Sequence, residues 1–194
     1  LQDAGQVTAL AGFEAGEWWV QDTAAALPAA LLKAKMGEKV LDMCCAPGGK
    51  TMQLAATGAT VTALDASESR LARVRENLTR TKLAATLLCE DALTHEGTYD
   101  AVLLDAPCSA TGTIRRHPDL PHAKTGEEFG ALIELQAQML AHAAGLVKSG
   151  GRLVFCTCSL LPDEGEVQVE EFLDMHPDFT ADTTVLANEG VDPA

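Results

Sequence analysis

Two short stretches carry thiols where a buried strand would end. DAPCSATG (105–112) sets Cys108 three residues after Asp105, and LVFCTCSL (153–160) closes an apolar run with Cys156 and Cys158 at i, i+2. A cysteine can pair in a disulfide, ligate a metal, act as a nucleophile or simply fill space as a small hydrophobe. The six cysteines (44, 45, 89, 108, 156 and 158) lie in or beside apolar runs of a 194-residue chain that is 47% hydrophobic, long enough to build a core without staples. Reduced thiols in a cytosolic protein fit better than a disulfide framework. The spacings CC, PC and CTC do not match the paired ligands of zinc sites, so no metal is expected. Cys89 and Cys156 read as core residues. Side chains alternate along a strand, so Cys158 is expected to leave the strand and face a cleft.

Other candidate groups fall at similar places. KVLDM (39–43) runs into CCAPGGKT (44–51), where glycines at a strand-to-helix turn let a ligand approach the backbone and the next helix offers free N–H groups. The turn has neither the P-loop spacing nor a strict G-x-G-x-x-G, and a tight turn that only packs helix on strand would look the same. Asp65, seventeen residues after Gly48, suits a ribose diol, and Asp91 in CEDA (89–92) suits an adenine amino group. Either acid alone could be a helix cap, whereas both at consecutive strand ends, with the turn after the first strand, describe an adenosine-shaped site, and Asp105 falls at the edge of its crevice.

The elements that must position these groups alternate along the chain. Strands are expected at 39–43, 60–64, 85–89, 101–105 and 152–156, each short and apolar. Ser67 is placed to cap a helix carrying Leu71, Val74 and Leu78. Leu132, Leu135, Met139 and Leu146 mark a second, stopped by Lys148-Ser149-Gly150-Gly151, and a third is expected over 164–175. Asp22 is placed to cap a helix through Leu32 that Pro28 should kink or restart. Regular alternation of strand and helix implies an α/β fold, a mostly parallel twisted sheet with helices on both faces, whose ligands bind outside the carboxyl ends of the strands.

Length bounds the chain to one domain, 1–194. No apolar run approaches the roughly 20 residues of a membrane helix and no basic-then-apolar leader opens it, so a cytoplasmic protein with no membrane partner is expected. Fourteen basic and 28 acidic residues give a net charge of −14, which argues against nonspecific nucleic-acid binding. Ten acids and no Lys or Arg follow Arg152. Arg70, Arg73, Arg75, Arg80 and Lys82 read as a solvated helix face, while Arg115 and Arg116 fall in a Gly/Pro-bearing loop. The chain begins at Leu1 without a methionine and ends in NEGVDPA with no closing element, and it is read as a piece of something longer.

Taken together, GEWWVQDTAAAL (16–27), MCCAPGGKT (43–51), the strand-end acids, DAPCSATGTIRRHPD (105–119) and GGRLVFCTCSLLPDEGEVQV (150–169) resemble the Nol/Nop/Sun RNA cytosine-5 methyltransferases, and RRHPD resembles the bacterial Sun-type enzymes acting on small-subunit ribosomal RNA. The resemblance implies a Rossmann-like fold, S-adenosyl-L-methionine as cofactor and RNA, ribosomal RNA foremost, as partner. It assigns Cys44, Cys45, Ala46, Pro47, Gly48, Gly49 and Lys50 to the cofactor's methionine and ribose, Asp65 to the ribose hydroxyls and Asp91 to the adenine. Asp105 would lie between cofactor and cytosine. Cys158 would be the nucleophile and Cys108 would assist product release, although a proline-cysteine nucleophile is the habit of DNA cytosine-5 enzymes and keeps Cys108 open for attack. Cys45 stands where the family often has alanine. The family's N-terminal RNA-binding extension and its last sheet strands are not visible here. Arg115, Arg116 and His117 would either touch RNA or anchor their loop.

Three other readings stay open at this level: a transfer RNA cytosine-5 methyltransferase, a noncatalytic RNA-binding or assembly module of the same fold, and an NAD-dependent oxidoreductase. The last gives no reason for PC and TCS at neighbouring strand ends.

Overall fold

The computed structural model describes residues 6–123, 126–182 and 184. Leu1 and the closing NEGVDPA lie outside the described residues. Five parallel strands form one sheet in the order β3-β2-β1-β4-β5: β1 (Lys39–Met43), β2 (Thr60–Asp65), β3 (Thr86–Cys89), β4 (Tyr99–Asp105) and β5 (Val147–Cys156). Between and around them run α1 (Thr23–Leu32), α2 (Gly49–Ala56), α3 (Glu68–Thr81), the short α4 (Leu120–Ala123), α5 (Phe129–Gly145) and α6 (Glu166–Met175).

Each central strand is apolar on both faces because each face meets helices. Val40 of β1 and Ala101 and Leu103 of β4 join a core layer with residues of α1, α2 and α3. Leu41 and Met43, with Val102 and Leu104, point the other way into a layer shared with α5 and with Phe172 of α6. This period of two across a covered sheet fixes the register, since a one-residue slip would exchange the two layers.

Four expectations need correction. The fifth strand starts at Val147 rather than Arg152: Tyr99 pairs with Val147 and Ala101 with Arg152, so the strand runs through Lys148-Ser149-Gly150-Gly151 with a register shift and α5 stops at Gly145. Pro28 does not restart the helix: it lies inside α1, which runs from Thr23 to Leu32 after the Asp22 side chain accepts from the Ala24 N–H. Glu164 belongs to a 3-10 turn (Pro162–Glu164) ahead of α6. Cys89 is exposed, because β3 is the short strand at one margin of the described sheet.

The basic face of α3 is also only partly solvated. Arg80 donates to the carbonyls of Phe13 and Trp18 and lies 4.0 Å above the Phe13 ring, clasping the segment before α1. Ser67 caps α3 as expected, its hydroxyl accepting from the Arg70 N–H.

Candidate active site

Strands β2 and β3 are added on one side of β1 and β4 and β5 on the other, so the strand order reverses between the parallel neighbours β1 and β4, and their carboxyl ends open a crevice. Register places Met43 beside Leu104, Asp65 beside Cys89 and Asp105 beside Cys156. Asp65 and Asp105 lie in that row, Cys44 to Gly48 form the turn after β1, Gly49 and Lys50 open α2, and Asp91, Cys108 and Cys158 follow the ends of β3, β4 and β5.

The turn after β1 is folded tightly. Cys44 has φ 60°, the Ala46–Pro47 bond is cis, and Gly48 has φ 98°. A Cβ at Gly48 would lie 3.0 Å from Val74 Cγ1 of α3, so the position needs glycine for both conformation and packing. Asp65 is 2% exposed and holds this turn: its carboxylate accepts from the N–H groups of Ala46 (3.4 Å) and Ser67 (3.0 Å) and pairs with Arg70 at 3.2 Å. Arg70 also donates to the Ala46 carbonyl. Asp91 is exposed, and its Oδ1 accepts from the Leu93 N–H in a turn-capping bond.

Lys50, at the start of α2, reaches across the crevice to Asp105, Nζ to Oδ2 2.8 Å. Burial would lower the Lys50 ammonium, but the charge and hydrogen bond of Asp105 outweigh it and hold Lys50 above its ordinary value. Asp42 lies fully buried beneath the turn. Thr51 donates to its Oδ2 at 2.5 Å, its Oδ1 has no protein partner, and burial pushes it up to about 7. Burial, followed by the charges of Asp65 and Asp105, pushes the Cys44 thiol up to about 12. Three acids thus surround one turn, two of them ion-paired, Asp65 with Arg70 and Asp105 with Lys50.

Cys108 and Cys158 meet at the far side of Asp105. Their sulfurs are 3.4 Å apart, Cys158 exposed and Cys108 half-buried. Cys156 points away into the partly buried layer, its thiol 3.5 Å from Asp105 Oδ1, and burial raises it well above the ordinary thiol value. The two facing thiols share a proton. A hydrogen bond from Cys158 eases ionisation of Cys108, bringing it down to about 7, and the same bond, with burial and the charge left on Cys108, drives Cys158 upward. At pH 7 the pair holds about half a negative charge, and the second thiol stays protonated.

Beneath the thiols lies a network that residue spacing did not reveal. Glu164 is 0% exposed, and its carboxylate accepts from the Ser109 N–H (2.9 Å), the Ser109 hydroxyl and Gln136 Nε2 (3.0 Å). Ser109 and Thr111 each lie 3.1 Å from the Ser159 hydroxyl, and Gly112 donates to the Cys158 carbonyl at 2.9 Å. Burial alone would raise Glu164, but hydrogen bonds from Ser109, Ser159 and Gln136 hold it below the usual carboxylate value. Arg115, Arg116 and His117 are exposed on the loop after Cys108, together with Ile114, and Leu160 beside Cys158 is 71% exposed. Among the described residues no cluster of three or more potential metal ligands occurs, and no helix is long and apolar enough to cross a membrane.

Comparison with known proteins gives a consistent result. The family model for 16S rRNA methyltransferase RsmB/F matches residues 29–192. Curated proteins named ribosomal RNA small subunit methyltransferase B are similar to this chain: that of Vibrio cholerae is 44% identical over 185 residues, covering 92% of this chain and 43% of its own length. That of Citrobacter koseri is also 44% identical, covering 93% of this chain and 44% of its own length. The chain spans less than half the length of these relatives. Among solved structures, NSun6 from Pyrococcus horikoshii, determined with the S-adenosylmethionine analogue SFG, superposes with a TM-score of 0.81 at 30% identity, over 88% of this chain and 46% of that one. A methyltransferase homologue from the same organism gives 0.78 at 33% identity, over 89% and 56%.

Proposed function

The chain belongs to the 16S rRNA methyltransferase RsmB/F family, and on that premise we propose that the protein it comes from uses S-adenosylmethionine to methylate carbon 5 of a cytosine in small-subunit ribosomal RNA. The observation that carries the reading is the pair of facing thiols, 3.4 Å apart, at the ends of β4 and β5 beside the Lys50–Asp105 pair. A methylase acting on an already nucleophilic nitrogen would have no use for them.

The turn from Cys44 to Lys50, with Asp65, Asp91 and Asp105, would hold the cofactor. When bound, S-adenosylmethionine supplies an electrophilic methyl group. Asp65 would accept from the ribose hydroxyls, and its present partners are two N–H groups and the exposed Arg70 side chain.

Carbon 5 of cytosine is a weak nucleophile until a thiolate adds to carbon 6. Cys158, the more exposed thiol, makes that bond. Cys108 in its thiolate form receives the Cys158 proton across the 3.4 Å contact as the new carbon–sulfur bond forms, which supplies the base that the nucleophile needs. Asp105, fixed by Lys50, holds the polar edge of the base. After methylation a base must remove the carbon-5 proton. The electrons of that C–H bond restore the 5,6 double bond, and Cys158 departs as a thiolate. Cys108, having released the first proton to solvent, takes the carbon-5 proton. The base must leave its stack to be attacked from its face, and Arg115, Arg116 and His117, exposed on the loop after Cys108, would be free to contact flanking phosphates.

The test is nucleoside analysis of small-subunit ribosomal RNA after incubation with the full-length protein and methyl-labelled cofactor. Label in 5-methylcytidine is expected; label confined to another nucleoside would refute the cytosine-5 assignment.

A further inference from the structure

We propose that Glu164 is a positioning residue that sets the separation of the two active-site thiols, and that its carboxylate matters more for product release than for attack. The second half rests on the function proposed above. The first rests on geometry alone.

Cys108 and Cys158 belong to different loops, 50 residues apart in sequence, and neither loop is part of a helix or strand at the cysteine. Something must hold the two loops in register. Glu164 does so from below. It accepts both the N–H and the hydroxyl of Ser109, the residue after Cys108. Its own carbonyl accepts from the Thr157 hydroxyl, the residue before Cys158, at 3.1 Å. Gln136 of α5 joins the same carboxylate to the Pro107 carbonyl at 2.8 Å, so the residues on both sides of Cys108 are tied to one buried group. Ser159, on the other side of Cys158, completes the link through Ser109 and Thr111. A fully buried carboxylate is costly unless its lone pairs are filled, and here several donors from three elements fill them. Glu164 does not face the crevice, so it acts through the two loops rather than on a substrate.

Attack at carbon 6 needs Cys158 and a base. Release needs Cys108 to sit at one place relative to a base already tethered to Cys158. A shift of one loop against the other therefore weighs more on release, and a displacement near 1 Å commonly costs roughly 10²-fold in a step that depends on geometry.

The experiment compares full-length wild type, Glu164→Ala, Glu164→Gln and Ser109→Ala in two assays. The first needs no RNA. Diamide takes up two protons and two electrons as two neighbouring thiols join, and peptide mapping reads the rate at which Cys108 and Cys158 are linked. Wild type is expected to link them readily. Glu164→Ala should slow linking about tenfold or more, Ser109→Ala less, and Glu164→Gln, which keeps an acceptor oxygen and can donate to the Ser109 hydroxyl, should restore most of the rate. The second assay measures the single-turnover rate of RNA adduct formation against steady-state turnover. Glu164→Ala should lower turnover much more than adduct formation, leaving adduct to accumulate.

Unchanged linking in Glu164→Ala and Ser109→Ala overturns the positioning role, and equal losses in adduct formation and turnover overturn the emphasis on release. If Glu164→Ala does not fold, the same comparisons are decided by Ser109→Ala and Glu164→Gln. Slowed linking in the variants with no RNA adduct in any protein, wild type included, would keep the thiol geometry and reject the function on which the second half rests.

Discussion

Removing Cys158 should return Cys108 to an ordinary thiol. In the native pair the Cys158 hydrogen bond is the largest cause of the lowered Cys108 titration, about 7 against an ordinary 9.0. Cys158→Ala deletes that donor while leaving the backbone bond from Ala110 in place. At pH 7 the thiolate fraction then falls from about one half to about one percent, roughly 50-fold. A more basic thiolate is a better nucleophile, which with a Brønsted slope near 0.45 gives back about eightfold, so the net loss of reactivity toward a disulfide reagent is roughly sixfold. The assay is the pH profile of reaction with an aromatic disulfide in a Cys89→Ser background, since Cys89 is another exposed thiol, while Cys44, Cys45 and Cys156 are held protonated by burial. The midpoint should move from near 7 to near 9. A midpoint that stays near 7 in Cys158→Ala would show that the proton is not shared between the two sulfurs, and the account of how Cys158 is activated would fail.

Two further outcomes follow from the same geometry. Glu164 is held below its ordinary value of 4.5, so it contributes stability that is present above that value and lost as pH falls through the lower folded one. Chemical denaturation between pH 5 and 3 should show a shallower decline in Glu164→Gln than in wild type. Gly48→Ala forces a Cβ onto φ 98° and against Val74. It should cost at least about 1–2 kcal/mol in urea unfolding and weaken cofactor binding measured by calorimetry, because the turn itself must move.

The sheet was legible because β1, β2 and β4 are short apolar runs covered on both faces, and the candidate acids and thiols were legible because parallel strands collect their ends on one side. What escaped has physical causes. Lys148-Ser149-Gly150-Gly151 has the composition of a turn, yet β5 absorbs it through a register shift opposite Tyr99 and Ala101. Cys89 has apolar neighbours in sequence, but its exposure depends on β3 lying at a margin of the described sheet. Glu164 sits in an acid-rich stretch whose other members are solvated. Its burial comes from Ser109 and Gln136, 55 and 28 residues away, and no local pattern encodes contacts of that range. The low titration of one thiol likewise depends on a through-space partner that spacing cannot show.

The central claim is that Cys158 attacks the cytosine and Cys108 helps release it. The most direct measurement is a denaturing gel of full-length wild type, Cys108→Ala and Cys158→Ala after incubation with ribosomal RNA and S-adenosylmethionine. The account expects a slow-migrating, RNA-linked band that builds up in Cys108→Ala and is absent from Cys158→Ala. An adduct that survives Cys158→Ala and requires Cys108 would contradict it and exchange the two roles.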